Sequence, residues 1–235
     1  MEAGSQLIDP FSAALPDFSV DWRFLLPVRP GCRMLVLSEG GGDFARYFAA
    51  LEMTVIVWRI DAPERAAGKP HQDSDRPQDS VLFRLPDPPF LPGSFDMVAI
   101  PFGIPQRLLP EAGGISGFQR SLSRLLRPGG RLLMGFVNPR SLRRPRLAGQ
   151  SVFLPGRLKA ELEGAGLRVL SLYGVAPDLL KPAYILPLRE RSFRFFLQHR
   201  FSGKPAGRLF GMLPGSMTSA FLSRFLPCYF VVASA

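Results

Sequence analysis

Three consecutive glycines, Gly40, Gly41 and Gly42, stand between an apolar run and a helix-forming run. They let the backbone turn sharply and let a ligand approach it closely. Before them, Leu35, Val36 and Leu37 read as a strand covered on both faces. After them, Phe44 to Leu51 reads as a helix whose unpaired N–H groups aim back at the turn. A strand, a glycine turn and a helix in this order form a place to hold a nucleotide-like molecule.

Other chemistry-bearing residues are sparse. His71 lies in a polar stretch and reads as solvated, whereas His199 lies among arginines and phenylalanines and is a candidate base. Cys32 and Cys228 have no metal-ligand spacing around them, and two histidines are too few for a zinc site. No metal is expected. No Ser/His/Asp or Cys/His arrangement emerges, so no catalytic residue is assigned. Asp96 begins a strand at the end away from a ligand and reads as structural. Asn138 and Tyr173 read as strand-end residues that line an acceptor pocket.

The elements that must position these residues alternate. Strands are expected over Arg33 to Leu37, Thr54 to Trp58, Val81 to Leu85, Phe95 to Ile100, Arg131 to Val137, Leu167 to Tyr173 and Cys228 to Ala233. Helices are expected over Phe118 to Leu126, ended by Arg127-Pro128-Gly129-Gly130, and over Pro155 to Ala165, ended by Gly166. Asp21 to Leu26 reads as a short amphipathic helix, and Ala62 to Ser80, with three prolines, as a loop. Strands alternating with helices imply a parallel α/β sheet, with ligands at the carboxyl ends of its strands. That places Ser38 to Gly42, Arg59 to Asp61, Leu85 to Asp87 and Pro101 to Ile104 around one crevice.

Composition sets bounds. The 235 residues are 46% apolar, enough for one domain with an elaboration. No stretch of 18 uncharged apolar residues occurs, and the first 26 residues do not read as a secretory signal. The expected compartment is the cytoplasm. The net charge is +10, and Arg120 to Lys159 holds ten basic residues and no acid. Such a surface favours anionic partners: nucleic acid, phospholipid headgroups or phosphorylated substrates.

Two segments tie this order of elements to a family. Pro92-Gly93-Ser94-Phe95-Asp96-Met97-Val98 resembles the turn into the fourth strand of the class I S-adenosylmethionine-dependent methyltransferases, of the type 11-like group. Leu125-Leu126-Arg127-Pro128-Gly129-Gly130-Arg131-Leu132 resembles their passage from helix to fifth strand, and Pro227 to Val232 their antiparallel last strand. The resemblance spans roughly Leu25 to Ala235. It implies a Rossmann-like, doubly wound α/β sheet of about seven strands, mostly parallel with an antiparallel last strand. The implied division is an N-terminal arm at 1–30, a core at 31–178, a basic aromatic insertion or lid at 179–226 and a last strand at 227–235.

The resemblance also implies S-adenosylmethionine as cofactor, held by Ser38, Glu39, Gly40, Gly42, Asp61, Asp87 and Pro101. Several family positions are altered. The acid of the first strand falls on Val36, and the first loop glycine on Ser38. The acid that holds the ribose hydroxyls falls on Arg59, with Asp61 two residues later as its substitute. The acid near adenine falls on Arg84, with Asp87 close by. Arginine has no acceptor for ribose hydroxyls, although it suits a phosphorylated ligand. Two main readings follow, beside a third in which the crevice binds a different phosphorylated nucleotide. One is a methyltransferase acting on a small or lipid-linked metabolite. The other is a catalytically silent methyltransferase-like protein serving as a binding or assembly subunit, with a stable protein partner.

The segment 184–225 interleaves arginine with phenylalanine, as in Arg191, Phe193, Arg194, Phe195 and Phe196. It reads as a lid over the cleft, as a surface for peripheral contact with an anionic membrane, or as a stacking surface for single-stranded nucleic acid. Nucleic acid is the least favoured, because no RNA-binding module is recognisable.

Overall fold

The computed structural model describes residues 21–38, 48, 50–59, 80–81, 89–106, 108–141, 152–188 and 226–235. Its frame is one eight-stranded sheet. The strands are β1 (Arg33–Ser38), β2 (Thr54–Arg59), β3 (Ser80–Val81), β4 (Phe95–Ile100), β5 (Leu126–Val137), β6 (Arg168–Ala176), β7 (Tyr184–Pro187) and β8 (Cys228–Ser234). Their spatial order is β3-β2-β1-β4-β5-β8-β6-β7. Strands β1 to β5 pair in parallel, whereas β8 runs antiparallel to both β5 and β6, and β7 antiparallel to β6. This is the expected Rossmann-like α/β sheet, with one edge strand more than the sequence revealed.

Burial explains the central strands. Met34, Leu35, Val36 and Leu37 are each at most 1% exposed, so β1 is covered on both faces. Leu35 and Leu37 join one core layer, and Met34 and Val36 the other. Strand β4 divides the same way, Val98 and Ile100 against Met97 and Ala99. All seven residues of β8 are buried.

Three helices cover the first layer: α1 (Leu108–Glu111), α2 (Gly114–Leu125) and α3 (Pro155–Gly164). In α2, Ile115, Phe118, Leu122 and Leu125 recur at helical spacing and are buried. In α3, Pro155 opens the first turn and Leu158 and Leu162 face inward. Gly166, at φ +82°, supplies the left-handed residue that stops it. On the other layer, Trp22 lies 6.2 Å from Phe48 between ring centroids. Trp22 belongs to a 3₁₀ helix, Trp22–Leu25, rather than a longer amphipathic one, and the Asp21 carboxylate caps it by accepting from the Arg23 N–H at 2.8 Å. Among the described residues, no helix is long and apolar enough to cross a membrane.

Strand β7 was hidden in the sequence because it is four residues long and opens the arginine–phenylalanine run. Pro187 ends it, as proline does at sheet edges. Asp96 has the structural role expected of it. Its carboxylate accepts from the Arg33 N–H at 2.7 Å and pairs with the Arg127 guanidinium. It thereby ties the start of β1 to the start of β5.

Gln119 is the misfit of α2. It is 0% exposed, and neither atom of its amide has a hydrogen-bond partner. A buried unsatisfied amide costs about 1–3 kcal/mol. Gln119→Met, similar in volume and apolar, is therefore expected to raise unfolding stability by about 1–2 kcal/mol. Denaturant titration checks this, and a loss of stability would show that the amide has a use in the fold.

Candidate functional site at the sheet switch point

The chain leaves β1 toward β2 and β3 on one side and fills β4 and β5 on the other. The connections therefore run to opposite sides from the carboxyl ends of the paired strands β1 and β4, the position at which such sheets bind ligands. Ser38 ends β1 and is 4% exposed. Arg59 ends β2 at the same level, paired in register with Ser38. The strand-end position read as a family acid is thus an arginine by ladder register as well as by counting.

Beyond β4, the backbone bends through Pro101, Phe102, Gly103 and Ile104. Pro101, Gly103 and Ile104 are buried and Phe102 is half-buried. Gly103 adopts φ +94°, a conformation that favours glycine. The bend is pressed onto β5. A Cβ placed on Gly135 would lie 2.2 Å from the Pro101 carbonyl oxygen and 3.0 Å from Leu179 Cδ1. Only glycine lets the Pro101 backbone approach so closely, so Gly135 sets the wall of the crevice on the β4 side. Sequence reasoning missed Gly135. Its signal was a glycine inside the bulky apolar run Leu132 to Val137.

Of the residues expected to hold the cofactor, Ser38 and Pro101 are described. Ser38 ends β1, and Pro101 follows the end of β4, its parallel neighbour. Glu39, Gly40, Gly42, Asp61 and Asp87 lie outside the described residues, as do Arg84, His71, His199 and the run 189–225. Among the described residues, no group of His, Cys, Asp and Glu could hold a metal ion.

Two expectations are corrected. Asn138 does follow the end of β5, but its side chain is committed to the fold. It is 3% exposed, and its Nδ2 donates to the Leu226 carbonyl at 2.7 Å and to the Tyr229 hydroxyl at 3.0 Å. Its Oδ1 accepts from the Arg140 N–H at 3.0 Å. Asn138 clamps the chain where it re-enters the sheet. Tyr173 is not at a strand end, because β6 continues to Ala176. It pairs with Phe230 and Pro187 and lines a separate hollow of about 520 Å³ with Lys159 and Leu188. Strands β5 and β8 separate it from β4, about 14 Å away at three strand spacings.

Cys228 and Tyr229 stand at the return into β8, near that clamp. Burial, with the nearby Asp178 charge, pushes the Cys228 thiol up to about 12. Burial, with Cys228 beside it, pushes the Tyr229 phenol up to about 12. The thiol is therefore no nucleophile at neutral pH. Tyr229 also stacks on Phe136 at 5.2 Å. The pair is a packed, neutral plug behind Asn138.

Two outcomes follow from these contacts. Gly135→Ala should push the Pro101 bend off β5 and destabilise the fold by about 1–3 kcal/mol. Thermal unfolding checks this, and an unchanged melting temperature would mean that the approach is not required. The two raised acids also give a pH dependence. Both are neutral in the folded protein at neutral pH, whereas unfolding frees them to ionise from their ordinary values of 9.0 and 10.0. Their contribution is full below pH 9 and is lost as pH rises toward about 12. Cys228→Ala should flatten the part of the decline that begins at pH 9. An identical decline in that variant, followed by urea unfolding, would contradict the assignment.

No family model matches this chain, and no curated protein matches it in sequence. Solved structures match it in fold. A SAM-dependent methyltransferase from Aquifex aeolicus superposes with a TM-score of 0.52 at 13% identity, over 96% of this chain and 96% of that one. Another, from Archaeoglobus fulgidus, gives 0.52 at 15% identity, over 91% and 90%. The [4+2]-cyclase SpnF gives 0.52 at 16% identity, over 93% and 84%. A methyltransferase and a cyclase on one scaffold show that the scaffold does not fix the reaction. The strand order, the antiparallel β8 and these superpositions together establish that the chain has the fold of the class I S-adenosylmethionine-dependent methyltransferases.

Proposed function

We propose that the protein is an S-adenosylmethionine-dependent methyltransferase acting on a small or lipid-linked metabolite. The observation that carries this reading is the switch point between β1 and β4, with Ser38 and the Pro101–Ile104 bend at its two sides. The described residues fit such a ligand in shape and chemistry. The end of β1 carries the small side chain of Ser38 rather than a bulky one, and Gly103 beyond β4 has no Cβ. Gly40 and Gly42 are proposed to let the backbone approach the methionine part, with Glu39 beside it. Asp61 is proposed to accept the ribose hydroxyls in place of the residue at Arg59, and Asp87 to meet the adenine.

The bound cofactor supplies an electrophilic methyl carbon on a sulfonium, so transfer depends chiefly on alignment with the acceptor. This chain's task is then to bind, orient and exclude water. For the last of these we propose residues 189–225 as a lid. What supports a lid is where the chain returns to the sheet. Leu226 lies at the crevice end, against Gly174 and under the Asn138 amide.

Arg59 favours a second reading, in which the crevice is silent and the chain is a binding or assembly subunit. An arginine at the end of β2 has no acceptor for a ribose. Titration of Asp61→Ala beside the unaltered protein separates the readings. Loss of the proposed charge-assisted hydrogen bonds should weaken S-adenosylmethionine binding about tenfold to a hundredfold. An equal dissociation constant would remove Asp61 from the site. Absence of binding by the folded, unaltered protein at millimolar ligand, with a co-purifying protein partner, would favour the silent subunit.

A further inference from the structure

The end of the sheet opposite the crevice is strongly basic, and neither reading of the crevice uses it. Arg33 opens β1, Arg127 is the second residue of β5 with the half-buried Arg131 four residues on, and Arg168 opens β6. The register aligns them, since Arg131 and Arg168 both pair with Ser234 of β8. From β1 to β6 the row crosses four strand spacings, about 19 Å. Arg29, just before β1, and Arg124, in the last turn of α2, are exposed beside it. Among the described residues, three side-chain carboxylates oppose these six arginines at the base: Asp96, Glu52 and Glu163. Asp96 is already committed to Arg127 and the Arg33 N–H, and Glu163 pairs with Lys159 at 3.7 Å.

One apolar side chain projects from the same end. Leu91 is 80% exposed, the most exposed of the large hydrophobic residues among those described. Its turn is held closed, because Ser94 Oγ donates to the Leu91 carbonyl and the Gly93 N–H donates to the Arg124 carbonyl at 2.8 Å. A leucine is thus presented on a fixed turn beside an arginine of α2. The neighbouring Phe90 is held back, edge-on to Phe95 at 5.1 Å between centroids.

We propose that this base is a docking surface for an anionic phospholipid bilayer. The arginine row meets the headgroup charge, and Leu91 enters the boundary between headgroups and acyl chains. Leu91, an aliphatic side chain held exposed beside the row, favours a bilayer over single-stranded nucleic acid, because it cannot stack on bases. The proposal is independent of the crevice and of residues 189–225. Seated this way, the molecule opens its crevice toward solution, so a ligand of the crevice arrives from the aqueous side.

Co-sedimentation of the full chain with vesicles tests this at about 0.15 M salt. Vesicles of phosphatidylcholine and phosphatidylglycerol in equal parts should bind the protein, and vesicles of phosphatidylcholine alone should not. Arg29→Glu, Arg124→Glu and Arg168→Glu combined should lower partitioning at least about tenfold. Leu91→Ser should lower it severalfold while the melting temperature stays unchanged. Replacing the same three arginines with Gln gives a milder variant if the Glu variant does not fold, and it should weaken binding in the same direction. Absence of binding by the unaltered protein would overturn the proposal. So would undiminished binding by the folded variants, which would move the contact elsewhere on the chain. Binding to a short DNA duplex at this salt, without binding to anionic vesicles, would overturn it in favour of nucleic acid.

Discussion

Burial of β1 and β4 on both faces is the constraint from which the rest follows. Side chains from Met34 to Leu37 and from Met97 to Ile100 have no access to water. Polar chemistry is therefore confined to the two ends of these strands. At the carboxyl end, the winding reverses between β1 and β4, where sheets of this kind bind ligands. At the amino end, the strands begin with charged residues that must stay in water or find partners. One buried interior thus separates the switch-point end of the sheet from a charged base.

The two ends are held by different means. At the base, the Asp96 carboxylate joins the backbone of Arg33 to the guanidinium of Arg127, so one acid fixes the starts of two strands. At the crevice end, the close approach of Pro101 to Gly135 is a matter of volume, and the Asn138 clamp is a matter of hydrogen bonds. The packed Cys228–Tyr229 pair lies behind that clamp and stays neutral because it is buried. The β4 side of the switch point is therefore set by packing and hydrogen bonds of the core.

Much of the fold was legible in the sequence because hydrophobic runs bounded by glycine and proline are local signals. Strand β4 was read residue for residue, and β1, β2 and β8 each gained one residue in the structure. The strand β7 was not legible, since four residues beside an arginine-rich run carry too little period to stand out. Asn138 and Tyr173 show a different limit. Their positions along the chain were read, but what each side chain meets depends on partners far away, Leu226 and Tyr229 for one, Phe230 and Pro187 for the other. Gly135 was passed over for the same reason, because its close neighbour Pro101 lies on another strand end. The position of Arg59 was legible from spacing, and the ladder with Ser38 fixes its level in the sheet.

The central claim is that the β1–β4 switch point is the binding site. Backbone hydrogen exchange with and without S-adenosylhomocysteine tests it most directly, because the amides of Ser38 and of Phe102 to Ile104 report on the two sides of the crevice. The account predicts that the ligand slows exchange at both segments while the amides of β6 and β7 are unchanged. Protection confined to the hollow at Tyr173 and Leu188, or protection nowhere in a folded protein at saturating ligand, would contradict it.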